Sequence, residues 1–261
     1  MTRPSSVSRT TDSVAEPGSW PRAVFFDVGN TLIFPSPSVA LVCQEVIEAR
    51  GLEAPPVEEI ERLIPLADRF YEDRYWEDDS FWTKEERASA LWTDMYEVLF
   101  TALGFKKGEV ARDLAHDVYR AFGSGARWQA YEDVKPGFEE LKSRDIAIGL
   151  ISNWDTRLAD IFHDIGLAPY LDCIVSSASV GVHKPDPRIF EVALERLGCA
   201  AADAVHCGDH YFSDVIGART VGITPVLMNR WSVEFPVDCM VVETVEELVV
   251  AIDEGELEGV G

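Results

Sequence analysis

Acidic side chains follow two apolar segments of the chain, at positions suited to binding a cation. Asp27 ends the apolar run 23–26, and Asp209 and Asp214 follow the run 204–207. Carboxylates are hard oxygen ligands of the kind that Mg²⁺ takes, usually one or two of them together with waters and a substrate phosphate. Because three acids brought close together would repel one another strongly, the set also predicts a bound cation.

A serine and a lysine in similar positions fit the chemistry of a phosphoryl group. Ser152 follows the apolar run 146–151, and Lys184 lies in the loop 182–187. A hydroxyl and an ammonium group could hold phosphoryl oxygens whose charge the metal also neutralises. A carboxylate that touches both metal and phosphorus is placed to attack and form an aspartyl-phosphate. Any one acid could instead be a surface residue or a helix cap, so the prediction depends on the whole set.

The elements that position these residues alternate between short apolar runs and amphipathic helical segments. We expect six strands, at 23–26, 146–151, 173–175, 204–207, 223–227 and 240–242. Strands separated by single helices favour a parallel sheet with right-handed crossovers. Open sheets of this kind bind ligands at the carboxyl ends of their strands, which is where the polar residues cluster. The sequence therefore predicts an α/β core.

A block with helical spacing interrupts this alternation after the first strand. Amphipathic helices are expected at 39–51, 57–74, 84–103 and 109–122. Residues 36–131 are therefore predicted to be an all-helical insertion, and residues 21–35 and 132–261 to be the core. Residues 1–20 are rich in Ser, Thr, Pro and Arg and are expected to be a disordered tail. An insertion joined to the core by two links is placed to open and close over a site.

Composition excludes several classes of function. The chain has 261 residues with 23 Lys plus Arg against 46 Asp plus Glu, and a formal net charge of −23 excludes binding nucleic acid by phosphate neutralisation. No apolar run approaches the ~20 residues that span a bilayer, and the first residues lack the apolar stretch of a signal peptide. Five cysteines without a CxxC motif are typical of reduced thiols. We expect a cytoplasmic protein with no membrane partner.

Four ordered motifs of the sequence resemble those of the haloacid dehalogenase (HAD) superfamily. They are FDVGNTL at 26–32, ISN at 151–153, KPDP at 184–187 and GDHYFSD at 208–214. The resemblance covers nearly all of residues 22–252. The insertion is similar to the helical cap of the subfamily that includes small-molecule phosphatases, phosphoglucomutases and haloacid dehalogenases. The resemblance implies a Rossmann-like parallel sheet core with an inserted all-helical cap domain.

The resemblance also implies how a phosphoryl group is held and attacked. Asp27 is implied as the nucleophile, and Lys184 as the residue that balances charge. Thr31 is implied to orient the loop of the first motif. Ser152 is implied to hydrogen-bond a phosphoryl oxygen, with the main chain of Asn153 nearby. The implied substrate is a small phosphorylated metabolite, and the chain is expected to be a monomer or a homodimer.

Mg²⁺ is the cofactor that the resemblance implies. Its ligands would be Asp27, Asp209 directly or through water, and the main-chain carbonyl of Gly29, with Asp214 in support. The carbonyl contact requires no side chain, so a glycine at position 29 preserves it.

Gly29 nevertheless departs from the pattern of HAD phosphatases. They carry a second aspartate there, which protonates the leaving alcohol and later activates the hydrolytic water. General acid/base help of this kind is typically worth ~10²–10⁴-fold in rate. The sequence therefore suggests a slow phosphatase or one limited to activated esters. His210 or His183 could supply the proton instead, or both could merely line their loops.

Two alternatives stay open because of this glycine. Haloacid dehalogenases also lack the second aspartate, and they displace halide without a metal. They typically have a serine where Asp209 stands and a tyrosine where Phe190 stands, so the sequence favours phosphoryl transfer over dehalogenation. The other alternative is a catalytically impaired HAD protein that binds a ligand or a partner.

Aromatic residues recur through the insertion at helical spacing. They are Phe70, Tyr71, Tyr75, Trp76, Phe81, Trp82, Trp92, Tyr96 and Trp128. This pattern is typical of the core of a helical bundle. The alternative is that some of the rings face the active site and recognise an apolar or aromatic part of a substrate. The arginines of the insertion could likewise bind a substrate anion.

Overall fold

Six parallel strands form the central sheet of the computed structural model, which describes residues 21–233 and 236–257 without the side chain of Asp79. The strands in the described residues are β1 (Ala23–Phe26), β2 (Ile33–Pro35), β3 (Trp128–Ala130), β4 (Ala147–Ser152), β5 (Cys173–Ser176), β6 (Ala204–Gly208), β7 (Thr224–Met228) and β8 (Met240–Val242). The sheet has the order β5-β4-β1-β6-β7-β8, and every neighbouring pair is parallel. The α/β prediction is confirmed. The tail predicted at 1–20 lies outside the described residues.

Every predicted core strand is present within one residue of its expected bounds. β1 is buried along its whole length between β4 and β6, with Phe26 opposite Leu150 and Cys207. A glycine in β4 permits this packing, because a Cβ atom on Gly149 would lie 2.5 Å from Cδ1 of Phe25. Since β4, β1 and β6 are neighbours and parallel, the residues that follow them meet at one edge of the sheet.

The α-helices in the described residues are α1 (Val39–Ala49), α2 (Val57–Glu77), α3 (Glu85–Ala102), α4 (Val110–Ala121), α5 (Val134–Ser143), α6 (Leu158–Asp164), α7 (Ser177–Val180), α8 (Pro187–Leu197), α9 (Gly217–Thr220) and α10 (Val245–Glu254). Both faces of the central sheet are covered by helices that lie outside the block α1 to α4. Val24 and Phe26 share an apolar cluster with residues of α5, α6 and α10, whereas Phe25 packs with residues of α8. The alternation of β1 side chains thus fills both interfaces.

The helical insertion consists of α1 to α4, which lie between β2 and β3 in the chain. α3 packs against α2 and α4, and α1 packs against the same two helices. The buried interior of this bundle includes Ile47, Ile60, Leu99, Phe100 and Leu114. The four predicted helices are present with bounds shifted by up to three residues. The division into core and cap at 36 and 131 stays a prediction.

The helical block is narrower than the predicted 36–131. β3 pairs antiparallel with β2, with Ile33 opposite Ala130 and Pro35 opposite Trp128. Three-residue strands carry almost no pattern of their own, and these two are stabilised by hydrogen bonds between segments far apart in the chain. The resulting ribbon ties together the two links through which the insertion leaves and rejoins the core.

None of the helices in the described ranges combines the length and the hydropathy needed to cross a bilayer. All five cysteines are free thiols.

Candidate active site

Three carboxylates converge at the carboxyl edge of the sheet. Asp27 directly follows β1, Asp209 directly follows β6, and Asp214 lies in the π-helical turn Tyr211–Ile216. Each offers one oxygen, and these oxygens all lie within 4.8 Å of one another. The main-chain N–H of Asp27 donates to the carbonyl of Cys207 at 2.9 Å, so pairing with β6 continues one residue past β1 and fixes the nucleophile candidate in place.

Lys184 joins two of these carboxylates. Its Nζ lies 2.6 Å from Oδ1 of Asp27 and 2.5 Å from Oδ1 of Asp214, and the side chain is almost fully buried. The hydroxyl of Ser152 also donates to Oδ1 of Asp27, at 3.0 Å. The sequence-predicted lysine and serine therefore meet at one oxygen of Asp27.

Asn153 holds the loop that carries Lys184. Its Nδ2 donates to the carbonyl of Lys184 at 3.0 Å, and its Oδ1 accepts from the main-chain N–H of Lys184 at 2.7 Å. Asp186 then caps α8 by accepting from the N–H of Arg188 at 2.8 Å. These bonds fix the loop between its two ends, so the lysine ammonium is held in place without relying on its flexible side chain alone.

His206 is a member of the site that the sequence reasoning missed. It is fully buried in β6, and its Nε2 lies 2.9 Å from Oδ1 of Asp214. The other oxygen of Asp214 accepts from the N–H of His210 at 3.0 Å. A Cβ atom on Gly208 would lie 2.3 Å from Cγ of Asp214, so a glycine is required there. The sequence pattern that could have identified His206 is a single polar residue inside an otherwise apolar strand.

The pKa values divide the acids into two kinds. Burial raises the pKa of Asp27 against the attraction of Lys184, and Asp214 adds to the rise. Burial and the charges of Asp27 and Asp214 raise the pKa of Asp209 to about 8. Burial also acts to raise the pKa of Asp214, but Lys184 and His206 outweigh it and hold that pKa below its ordinary value. Lys184 thus stabilises the charged form of Asp214 most, whereas the charged forms of Asp27 and Asp209 are disfavoured, although Asp27 also contacts the lysine.

This donor set fits a magnesium ion. All three groups are carboxylates, and the acids with raised pKa values, Asp27 and Asp209, are those whose charges a divalent cation would offset. The metal assignment to Asp27, Gly29, Asp209 and Asp214 stays a prediction.

An arginine, Arg230, that the sequence reasoning also missed positions the loop of the first motif. The Nη2 and Nε atoms of Arg230 donate to the carbonyl of Thr31 at 2.6 and 3.1 Å. Its Nη1 donates to both oxygens of Asp133, at 2.8 and 2.9 Å, and its guanidinium lies over the ring of Tyr131. The hydroxyl of Thr31 in turn lies 3.5 Å from Oδ1 of Asp209.

A cavity of about 700 Å³ extends from the carboxylates into the space between α2 and α3. Gly29, Asn153 and His210 line it together with the acids, Ser152 and Lys184, whereas His183 is outside its described lining. Its other walls are largely aromatic, formed by Tyr71, Tyr75, Trp76, Trp82, Trp92, Tyr96, Trp128 and Trp154. Rings expected in the bundle core therefore also face the site. Within the described residues, none of the arginines of the insertion lines this cavity.

Known proteins resemble this chain over most of its length. The family model of haloacid dehalogenase-like hydrolases matches residues 21–222. Haloacid dehalogenase-like hydrolase domain-containing protein 3 of Danio rerio is 32% identical over 215 residues, covering 80% of this chain and 85% of that protein.

Two further matches are named for different reactions. Phosphoserine phosphatase of Thermus thermophilus is 33% identical over 123 residues, which cover 47% of this chain and 48% of that enzyme. The crystal structure of a 2-haloacid dehalogenase from Pseudomonas syringae pv. Tomato DC3000 superposes with a TM-score of 0.60 at 25% identity, covering 88% of this chain and 98% of that one. The choice between these chemistries has to come from the site itself.

Proposed function

Since this chain belongs to the haloacid dehalogenase-like hydrolases, we propose that it is a Mg²⁺-dependent phosphatase that acts on a small phosphorylated metabolite through an aspartyl-phosphate at Asp27. The observation that supports this best is the group of Asp27, Asp209 and Asp214, whose oxygens lie within 4.8 Å of one another with a single buried lysine between two of them. One ammonium group does not neutralise three carboxylates. A metal that also binds phosphate would complete the balance of charge.

Asp27, Asp209 and Asp214, with the carbonyl of Gly29, would hold the metal. When bound, Mg²⁺ would neutralise charge on the phosphoryl oxygens. The protein supplies the rest from side chains already in position. Ser152 and Lys184 both engage one oxygen of Asp27, which fixes the carboxylate and leaves its second oxygen for other contacts.

The reaction has two steps at Asp27. A carboxylate oxygen bonds to phosphorus as the bond from phosphorus to the ester oxygen breaks, and the electron pair leaves with the alkoxide, which takes up a proton. Water then attacks the phosphorus of the aspartyl-phosphate, which releases inorganic phosphate and restores the carboxylate. Gly29 supplies no carboxyl group to protonate the leaving alkoxide or to activate the attacking water. We therefore expect fast turnover only with activated leaving groups such as aryl or acyl phosphates.

The same geometry weighs against dehalogenation. Position 209 carries an aspartate, where the resemblance places a serine in dehalogenases. Asp209 repels the carboxylates of Asp27 and Asp214, and a reaction without a metal would leave that repulsion uncompensated. Phe190, where the resemblance places a tyrosine, is buried with its ring edge-on to His206 at 5.2 Å between ring centres. The binding-protein alternative depends on Gly29 alone.

The test is turnover of p-nitrophenyl phosphate, acetyl phosphate and 2-chloropropionate by the purified protein, with Mg²⁺ or with EDTA, beside Asp27→Asn. We expect phosphate release that requires both Mg²⁺ and Asp27. Chloride release in EDTA would instead establish dehalogenation. No turnover of any of the three compounds would favour a binding role.

A further inference from the structure

The cavity beyond the carboxylates is built for more than a phosphate group. Its volume of about 700 Å³ lies within the range of sites that enclose whole organic ligands. Its rings form a continuous series: the ring centre of Trp82 lies 6.4 Å from that of Tyr71 and 6.3 Å from that of Trp92, and Trp92 stacks on Tyr96 at 6.1 Å. A short alkyl ester would leave most of this apolar wall in contact with water.

The charges around the cavity are unsuited to a second anion. In the described part of the chain, Lys184 is the one lysine or arginine that lines it, and Asp27 and Asp214 already engage its ammonium group. At the cap end the cavity is lined by Asp68 and Glu72, one turn apart on α2. A carboxylate or second phosphate on the distal part of a substrate would meet these acids without a compensating cation.

From these two observations we infer that the substrate is a phosphate monoester whose organic group carries an aromatic ring and no second negative charge. This inference rests on the proposed function for the placement of the phosphate beside Asp27. The aromatic wall supplies the affinity, and the acids of α2 reject anionic relatives.

Non-hydrolysable phosphonates test the substrate class without turnover. Isothermal titration of the wild-type protein in Mg²⁺ would compare propylphosphonate, 3-phenylpropylphosphonate, and the 4-methoxyphenyl and 4-carboxyphenyl forms of the latter. We expect the phenyl group to tighten binding about 10- to 100-fold over propyl. The neutral methoxy form should keep this gain, and the anionic carboxyl form should bind about 10-fold more weakly than the methoxy form.

Two variants assign the charge preference to a residue. Asp68→Lys should tighten binding of the carboxyl form by about 3- to 10-fold, whereas Asp73→Lys, the same charge change elsewhere on α2, should leave the order of the ligands as in the wild type.

The two proposals fail in different ways. Equal affinity for propyl and phenylpropyl, or no binding of either, would overturn the substrate class. So would equal binding of the carboxyl and methoxy forms by the wild type. Hydrolysis is measured with the corresponding esters, ethyl phosphate and 2-phenylethyl phosphate. Both release an alkoxide of the same kind, so a difference between them reflects binding of the ring. If the phosphonates bind in the expected order but no phosphate ester, activated or not, is hydrolysed, the site binds aryl phosphates and the phosphatase proposal is wrong.

Discussion

The indole of Trp154 lies against Gly29: a Cβ atom at residue 29 would be 3.4 Å from Cζ3 of that ring, which is ordinary contact. Gly29 has no positive φ, so its backbone accepts an L-amino acid. Trp154 is held there by burial and by an edge contact with Trp128 at 5.1 Å between ring centres. A large apolar ring thus lies beside position 29, where the resemblance places a second aspartate in HAD phosphatases.

Gly29→Asp should restore part of the missing acid/base catalysis. We expect turnover of 2-phenylethyl phosphate, a poor leaving group, to rise by at least ~10-fold, towards the ~10²–10⁴-fold that such groups supply. Turnover of p-nitrophenyl phosphate should change little, because nitrophenolate leaves without a proton. Adding Trp154→Phe should increase the gain by giving the new carboxylate room. The measurement is kcat for the two esters in each variant.

Gly29→Asn is the matched control, because it has the same shape as aspartate but cannot transfer the proton. Equal gains from Asp and Asn would show that the effect is one of packing. A fall in turnover of both esters by Gly29→Asp, with and without Trp154→Phe, would show that the site is adapted to glycine for another chemistry.

The site residues at the carboxyl edge of the sheet could be predicted because the sequence patterns that mark them are local. Asp27, Ser152 and Asp209 each follow an apolar run, and the rule that parallel strands end at one edge brings them together regardless of the details of packing. Lys184 and Asp214 followed from the same reasoning with the help of the ordered motifs. The structure places all five residues in one cluster.

The supporting residues could not be predicted because their partners are distant in the chain. Arg230 lies 199 residues from Thr31 and 97 from Asp133, so its role depends on tertiary packing that no spacing records. His206 resembled a strand residue because its neighbours are apolar. The aromatic residues of the insertion were ambiguous for a different reason: at helical spacing, a ring such as Tyr96 can pack in the bundle and line the cavity at once.

Magnesium should stabilise the wild-type protein through Asp209. A ligand at 100 times its dissociation constant adds about 2.7 kcal/mol, which for a chain of this size raises Tm by roughly 5–10 °C. Asp209→Asn should lose most of that rise. In EDTA the variant should be at least as stable as the wild type, because one of three mutually repelling carboxylates is removed.

Thermal unfolding with Mg²⁺ or EDTA measures both effects. Asp160→Asn, an exposed acid on α6, is the control and should keep the wild-type response to Mg²⁺. A full magnesium response in Asp209→Asn would remove this residue from the metal site.

Arg230→Lys should destabilise the fold and the first-motif loop together. A lysine cannot serve Asp133 and the carbonyl of Thr31 at the same time, and it leaves a nearly buried carboxylate less well paired. We expect a loss of about 1–3 kcal/mol in the free energy of unfolding, measured in urea. Arg188→Lys, at an exposed pair with Glu191, should change it by less than about 0.5 kcal/mol. Equal losses in the two variants would mean that the buried network adds nothing beyond a surface ion pair.

Glu85 should make the stability of the protein depend on pH. It lies on α3 and joins this helix to Thr156. Its Oε2 accepts from both the N–H and the hydroxyl of Thr156 at 2.8 Å, and its Oε1 accepts from the hydroxyl of Tyr119 at 2.8 Å. Burial acts to raise the pKa of Glu85, but these bonds favour the charged form and hold the pKa below its ordinary value. A depressed pKa means that the stabilisation is fully present above the unfolded pKa of about 4.5 and is lost as pH falls through the folded value.

Glu85→Gln tests this dependence. Because Glu85 is partly exposed, we expect the variant to lose only about 0.5–1 kcal/mol in the free energy of unfolding at pH 7. The difference from the wild type should shrink as pH falls below about 4.5, since the carboxylate of the unfolded wild type is then protonated first, and it should vanish once the pH has passed the lower folded value. Urea unfolding at pH 7, 5 and 4 measures it, with Glu86→Gln, an exposed neighbour on the same turn, as the control. A difference that stays constant with pH would show that the bonds to Thr156 and Tyr119 do not depend on the charge of Glu85.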